Sequence, residues 1–233
     1  TDLTPVETTK VIIPPTSNQP IISTSDEIIV NSVTINSGAS LEIATTGKLS
    51  ITDELSNSGS LIVRSDASGT GSLIHISTGV SATVQRHISA WNSDVHGWHF
   101  LSSPVLGQDI QPEFVPNPPT ANQDFFSWDE ASATWINSKM DDGGNLIWNS
   151  SFEDDFVVGR GYLAAYDSDQ TKSFEQVLNV EDISLTNLSR SGGDYSGWHL
   201  LGNPFSSAII WNDGHWNMTN ITGSAKIWHE RKA

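Results

Sequence analysis

Tryptophan is the residue type in this chain best suited to binding a ligand, and there are nine of them. The flat face of an indole stacks on the C–H face of a pyranose ring, so exposed tryptophans beside polar residues are typical of glycan-binding β modules. Trp98 and Trp198 alternate with apolar residues in repeated segments, and we predict that they lie in the core. Five others adjoin polar turn residues and form the predicted glycan-binding set: Trp91, Trp135, Trp148, Trp211 and Trp216.

Carboxylate clusters are the second candidate for chemistry. Calcium takes six to eight oxygen ligands, so an Asp-rich turn formed by Asp141, Asp142 and Asn145 predicts a structural calcium site. The spacing differs from that of an EF-hand loop, and a solvated acidic face is the alternative interpretation. Glycoside hydrolysis needs two carboxylates roughly 5 to 10 Å apart. Among 27 acidic residues many pairs could meet that condition, so the sequence nominates none.

Histidines and short motifs give no catalytic signal. His96 and His99 are three residues apart, which on a strand places them on opposite faces and does not suit zinc chelation. His99 and His199 occupy the same position of a repeat and are predicted to have a structural role. The chain has no Gly-x-Ser-x-Gly, P-loop, dinucleotide-binding or His-Glu-x-x-His motif. We therefore predict that it is not an enzyme and that it uses no cofactor other than the structural calcium.

Composition excludes several classes of partner. The chain of 233 residues has 11 basic and 27 acidic side chains, a net charge of -16 that repels phosphate backbones and anionic lipids. We predict no nucleic-acid partner. No apolar run approaches the roughly 20 residues that span a bilayer, which predicts no membrane insertion. There is no cysteine, so disulfides and thiol chemistry are excluded.

A repeat shows how the elements that carry these residues are organised. Residues 97–105, GWHFLSSPV, recur as residues 197–205, GWHLLGNPF, and Trp128 recurs as Trp228. A period of 100 residues indicates a duplicated domain or half-domain, because solenoid repeats have periods of roughly 20 to 50 residues. The first copy continues well past Trp128, whereas the second stops at Ala233, so we expect the second copy to be truncated.

The segment before the repeat has a different pattern. Short apolar alternations such as residues 33–35 and 41–43 are separated by glycines, which predicts strands with one buried face. Such strands could stack as the rungs of a β-solenoid or pair as a meander of hairpins, and the similar turn sequences favour stacking. The predicted fold is all-β: a short right-handed parallel β-solenoid over residues 1–80, an antiparallel, jelly-roll-like β-sandwich over 81–180, and a truncated second copy over 181–233.

Several of these segments resemble a known family. The stretches that carry the resemblance in the first part of the chain are TKVIIP at 9–14, NQPII at 18–22, VTINSGA at 33–39 and LSNSGSL at 55–61. They are similar to the short β-solenoid of large surface and secreted proteins of gliding, polysaccharide-degrading bacteria, which usually use the type IX secretion route. The Trp-His-x-Leu-Ser-Ser-Pro, Gly-basic-Gly-Tyr and Gly-Asn-Pro-aromatic patterns of the companion modules are similar to residues 98–104, 159–162 and 202–205. His87 stands where the family more often has an aromatic residue.

The resemblance implies a location and a role. A chain of this kind is expected to be secreted or at the cell surface, in a larger parent protein with other domains. We expect a non-catalytic part of an adhesin or polysaccharide-active protein that binds polysaccharide or a surface glycan. A structural spacer or stalk without a ligand is the first alternative, and a glycan-active enzyme is the second. Exposure of the five candidate tryptophans distinguishes a binding surface from a spacer.

Overall fold

A computed structural model of the chain describes residues 4–92, 97–186, 188–211 and 213–227. All regular secondary structure in these ranges is β-strand, which confirms the predicted all-β class. The same ranges contain no helix that is long and apolar enough to cross a membrane.

The first part of the chain is a coil of three rungs, each with three strands. The first rung holds β1 (Lys10–Ile13), β2 (Ile21–Ile22) and β3 (Glu27–Val30), and the second holds β4 (Ser32–Ile35), β5 (Ser40–Ile43) and β6 (Lys48–Ile51). The third rung holds β7 (Leu55–Asn57), β8 (Ser60–Val63) and β11 (Ser72–Ile74). Between β8 and β11 the chain forms a small hairpin of β9 (Ser65–Asp66) and β10 (Gly69–Thr70). Equivalent strands pair in parallel along the coil. The parallel stacking confirms the β-solenoid and rules out the meander.

Strand alternation builds the core of the coil. In β4 and β5 every second side chain is buried, so Val33, Ile35, Leu41 and Ile43 point inward while Ser, Thr and Glu face solvent. Each fully buried Val, Leu or Ile contributes roughly 1.5 to 3 kcal/mol of transfer free energy. The coil therefore carries its own core without cross-links.

The coil joins the rest of the chain through a shared sheet. The long strand β12 (Ser81–Ile88) pairs in parallel with β8 on one side and antiparallel with β19 (Gln170–Val177) on the other. One five-stranded sheet thus runs in the order β19-β12-β8-β5-β2, across the boundary placed at residue 80. A second, antiparallel sheet has the order β13-β18-β14-β15, with a separate hairpin of β16 and β17 beside it. These strands are β13 (His99–Leu101), β14 (Gln123–Asp129), β15 (Thr134–Asn137), β16 (Lys139–Asp142), β17 (Asn145–Trp148) and β18 (Tyr162–Tyr166).

Aromatic side chains fill the space between the two sheets. Phe174 of β19 lies 4.6 Å, centroid to centroid, from Phe114 and 5.2 Å from Phe156. Phe156 in turn contacts Phe125 of β14 at 5.8 Å and Tyr162 of β18 at 4.9 Å. Burial raises the pKa of Tyr162 to about 12. The two sheets therefore face each other across a common apolar core, as the layers of a sandwich do.

The second copy of the repeat lies against the first. In residues 188–211 and 213–227 the structure has no extended strand, and Leu201 makes an isolated bridge to Arg160. The Ser102 hydroxyl donates to the carbonyl oxygen of Asn203 at 2.9 Å. Gly202 lies so close to Ser102 that a Cβ atom on Gly202 would be 2.2 Å from the Ser102 Cβ. Equivalent positions of the two copies thus meet directly.

Candidate functional site

The four-stranded sheet has one face in the core and one face lined with aromatic side chains. Phe125 and Ser127 of β14 are buried in the core, so their neighbours Phe126 and Trp128 lie on the opposite face. In the sheet register Trp128 stands opposite Trp135, and Phe126 stands opposite Leu163, which itself stands opposite Phe100. We call this surface the outer aromatic face; in the first copy it comprises Trp98, Phe100, Phe126, Trp128, Trp135 and Leu163.

Ring contacts join two pairs of residues on the outer aromatic face. The centroids of the Trp128 and Trp135 rings are 5.3 Å apart with an interplanar angle of 64°, and that of Trp98 lies 5.9 Å from that of Phe126. Phe100 is 43% exposed and Trp135 is 41% exposed, so the apolar surface is open to solvent. With strands about 4.8 Å apart, the face extends roughly 14 Å across the sheet from β15 to β13.

Residues of the second copy extend the face. The Tyr195 ring lies 5.9 Å from that of Trp128 and is 60% exposed. The carbonyl oxygen of Trp198 accepts a hydrogen bond of 2.8 Å from the Trp128 indole N–H. The Trp198 ring is 43% exposed, with the Lys226 ammonium 4.6 Å from its centre. The predictions that Trp98 and Trp198 lie in the core are therefore wrong. The segment of Trp198 forms no strand, and Trp98 is half-buried on the outer aromatic face.

A buried carboxylate fixes this part of the second copy. Glu130 follows β14, is 3% exposed, and lies in a turn closed by the bond from the Ala133 N–H to the Glu130 carbonyl. Its carboxylate accepts hydrogen bonds from the Gly197 N–H at 2.6 Å, the Ser189 hydroxyl at 2.5 Å, and the N–H and hydroxyl of Ser191 at 2.7 and 2.9 Å. These bonds, that from Gly197 first, lower the pKa of Glu130 to about 2. The carboxylate is therefore ionised at all physiological pH values.

Polar groups beside the face pair mainly with one another. The Lys139 ammonium lies 3.2 Å from the Asp124 carboxylate, which also accepts a bond of 3.3 Å from the Asn137 amide. Asn137 stands opposite Phe126 and so lies on the outer face. These groups place hydrogen-bonding capacity next to the aromatic rings, the combination that a hydroxyl-rich ligand requires.

The five tryptophans predicted to bind glycan do not form one strip. Trp135 lies on the outer aromatic face. The Trp211 and Trp216 rings contact each other at 4.6 Å in the C-terminal segment, where Trp216 is 39% exposed. Trp148 is half-buried against Phe152 and donates its indole N–H to Asp154 at 3.1 Å, and Trp91 is exposed in the loop after β12.

The predicted calcium ligands lie at an exposed hairpin. Asp141 and Asp142 are consecutive in β16, so their side chains point to opposite faces, and Asn145 pairs with Asp142 across the turn. The Asp141 carboxylate accepts the Gly144 N–H of its own turn at 3.0 Å. Throughout the described ranges no group of three or more His, Cys, Asp or Glu side chains could hold a metal ion. The geometry offers no support for calcium here, and the site stays a prediction.

The histidines of the repeat make equivalent local contacts. The His99 Nε2 lies 3.0 Å from the Ser89 hydroxyl, and the His199 Nε2 lies 2.9 Å from the Ser189 carbonyl oxygen, in each case ten residues earlier in the chain. These contacts agree with a structural role. His96 lies outside the described residues.

One pair of carboxyl groups lies within hydrogen-bonding distance. A hydrogen bond with Asp109 raises the pKa of Asp155 on a neighbouring exposed segment. The two groups are closer than the roughly 5 Å that separates the carboxylates of a glycosidase. Two shallow depressions, of about 500 and about 350 Å³, lie on the coil and do not border the outer aromatic face. None of these features assembles a catalytic site.

Sequence reasoning missed five functional candidates: Phe100, Phe126, Trp128, Tyr195 and Glu130. The alternation of β14 could have identified Phe126, because its neighbours Phe125 and Ser127 both point into the core and Phe126 must therefore point outward. No local signal marks Tyr195 or Glu130, since their environment is created by contacts between the two copies.

The coil, the shared sheet and the outer aromatic face define an all-β protein with an open aromatic surface. Over residues 1–233 the chain matches the family described as a domain of unknown function, DUF8693, and it belongs to that family. No curated protein and no solved structure matches the chain.

Proposed function

We propose that this chain is a non-catalytic extracellular module that binds a polysaccharide or surface glycan on its outer aromatic face. The observation that supports the proposal most directly is the ring contact between half-buried Trp128 and exposed Trp135 on the outer aromatic face. The exposed rings of Phe100, Tyr195 and Trp198 lie on the same face. Contiguous exposed apolar surfaces of this kind mark binding sites in soluble proteins.

The shape of the surface favours a polymer over a small molecule. Small ligands are usually enclosed in concave pockets, whereas the outer aromatic face is open along its length. Indole and phenyl rings stack on the C–H faces of sugar rings, and Asn137 and Asp124 beside them supply polar contacts. The net charge of -16 disfavours strongly anionic polymers.

The cellular setting belongs to the same proposal. The resemblance of residues 9–61 and of the Trp-His motif to surface proteins of gliding bacteria supports secretion by the type IX route. It also supports a place in an adhesin or a polysaccharide-active protein with further domains. A spacer without a ligand is the second candidate, favoured by the outward Ser, Thr and Glu side chains of the coil.

Retention on polysaccharides tests the proposal. The purified chain is run through native gels containing soluble neutral polysaccharides and is mixed with insoluble ones, and Kd is measured for any polymer that retains it. Trp135→Ala is expected to raise Kd about 30-fold, the effect of losing roughly 2 kcal/mol at a central aromatic contact.

Trp216→Ala is the matched control, because Trp216 is exposed to nearly the same extent, 39% against 41%, but contacts Trp211 and lies away from the outer aromatic face. Unchanged binding by this variant is expected. Equal binding by wild type and Trp135→Ala, or no retention of the wild type on any polysaccharide, would refute the proposal and leave the spacer. A loss confined to Trp216→Ala would move the site to the C-terminal pair.

A further inference from the structure

The loop that carries Tyr195 is held at both ends by one side chain. The Glu130 carboxylate accepts the N–H of Ser191 at the start of the loop and the N–H of Gly197 at its end. Between these points the Ser196 hydroxyl bonds to the Ser191 carbonyl, and the Trp198 N–H bonds to the Tyr195 carbonyl at 3.0 Å. The placement of Tyr195 and Trp198 therefore depends on the position of Glu130.

The hydrogen bonds to the Glu130 carboxylate all come from the second copy. Its carboxylate bonds to Ser189, Ser191 and Gly197, and its backbone carbonyl also accepts the Ser191 hydroxyl at 3.1 Å. Within the described part of the chain no cationic side chain forms an ion pair with it. The negative charge is stabilised by directed N–H and O–H donors, which require a defined loop geometry.

In the first copy, Ala90 and Trp91 at the start of the corresponding loop contact a neighbouring strand end. There the Ala90 N–H bonds to the Asp169 carboxylate at 2.7 Å, and the Trp91 N–H bonds to the Tyr166 carbonyl at 2.6 Å. The internal contact between histidine and the serine ten residues earlier is nevertheless present in both copies.

We infer that Glu130 is a positioning residue for glycan binding: it holds the 191–197 loop so that Tyr195 and Trp198 complete the outer aromatic face. The inference rests on the proposed function. Glu130 is buried, so it acts through the loop and does not touch the ligand. Part of the binding surface is thus contributed by the second copy of the repeat and is fixed by an acid of the first.

Glu130→Gln tests the inference in the full 233-residue chain. The glutamine amide keeps one acceptor oxygen, but its NH2 group cannot accept the hydrogen bonds that the second carboxylate oxygen accepted. Some of the N–H and O–H donors of the 191–197 loop therefore lose their acceptor, and the loop is released. Hydrogen exchange at residues 189–198 is expected to accelerate about tenfold or more, and Kd for the glycan that the wild type binds is expected to rise about tenfold. The rate of tyrosine nitration gives a second readout of the placement of Tyr195. Tyr195 is exposed, whereas the other two tyrosines, Tyr162 and Tyr166, are buried.

Asp129→Asn is the matched control. Asp129 is the adjacent acid, but its carboxylate accepts hydrogen bonds from Ser132 in its own turn. This variant should leave both exchange at 189–198 and binding unchanged. If Glu130→Gln fails to fold, the double variant Ser189→Ala with Ser191→Ala removes the two hydroxyl donors and leaves the carboxylate in place.

The outcomes separate the two proposals. Faster exchange of the loop together with weaker binding supports the positioning role. The positioning role is overturned if Glu130→Gln leaves hydrogen exchange at residues 189–198 unchanged. It is also overturned if exchange accelerates but the variant binds glycan as tightly as the wild type. In both cases the proposal that Trp135 binds glycan stands. If the wild type binds no polysaccharide, the proposed function fails and the role in binding fails with it, and hydrogen exchange still decides whether Glu130 holds the loop.

Discussion

Replacing Gly202 by the residue found at the equivalent position of the first copy should destabilise the protein. That residue is Ser102, and a Cβ at position 202 would lie 2.2 Å from the Ser102 Cβ, 2.4 Å from its Oγ and 3.1 Å from the Arg160 carbonyl oxygen. Cβ atoms do not approach so closely, so the two segments must separate. Overpacking costs typically 1 to 3 kcal/mol, and we expect about 3 kcal/mol for Gly202→Ser because a Cβ, unlike the end of a long side chain, cannot rotate away.

A double-mutant cycle isolates the contact. Ser102→Gly alone removes the hydrogen bond to Asn203 and increases the backbone freedom of the unfolded chain. Together these effects should lower the free energy of unfolding by about 1.5 kcal/mol. In the double variant the Cβ at position 202 fills the space left by the Ser102 side chain. The double variant should therefore be more stable than the sum of the single effects predicts, by about 2 kcal/mol.

Calorimetry or denaturant titration gives the free energy of unfolding of the wild type, the two single variants and the double variant. For a chain of this length about 3 kcal/mol corresponds to a fall in Tm of roughly 6 to 12 °C. Gly202→Ser within about 0.5 kcal/mol of the wild type, or additive effects in the cycle, would show that the two copies do not meet at this point.

Two further predictions concern the coil. The His75 ring is buried, and burial lowers its pKa below 6.5. The folded state therefore binds the proton less readily than the unfolded state, so stability is full above pH 6.5 and decreases below it. His75→Leu replaces a buried polar ring by an apolar side chain, so it should add about 1 kcal/mol of stability at pH 7 and remove the fall in Tm below pH 6.5. A Cβ at Gly59 would lie 2.2 Å from the Ala39 carbonyl oxygen, so Gly59→Ala should cost about 3 kcal/mol in urea unfolding. Gly192→Ala, where no atom lies within 4 Å of the added Cβ, should change stability by less than about 0.5 kcal/mol, and equal effects of the two substitutions would contradict the reasoning.

The coil could be predicted from sequence because its determinants are local. Period-2 alternation in segments such as residues 33–35 and 41–43 sets the buried face, and glycine marks the turns. The step of 22 residues from Val11 to Val33 and from Val33 to Leu55 repeats the same pattern in register. Each rung is thus specified by its own residues and by the rung beside it.

The site was only partly predictable because distant contacts create it. Trp135 was identified from its polar neighbours, whereas Trp198 was assigned to the core from an alternation that forms no strand. Glu130 looks like a solvated acid in a turn, and its burial depends on residues about 60 positions away. The pairing of Val84 with Phe174, which carries the coil sheet into the sandwich, is equally invisible to local patterns.

Strand β12 has a mechanical consequence. It is hydrogen-bonded to the coil through β8 and, over eight residue pairs, to β19 of the sandwich. No flexible linker separates the two parts at this point, so the sandwich cannot swivel freely on the end of the coil. A polymer seated on the exposed rings would be presented at a set angle to the coil axis, and tension on it would pass into the coil through a ladder of backbone hydrogen bonds.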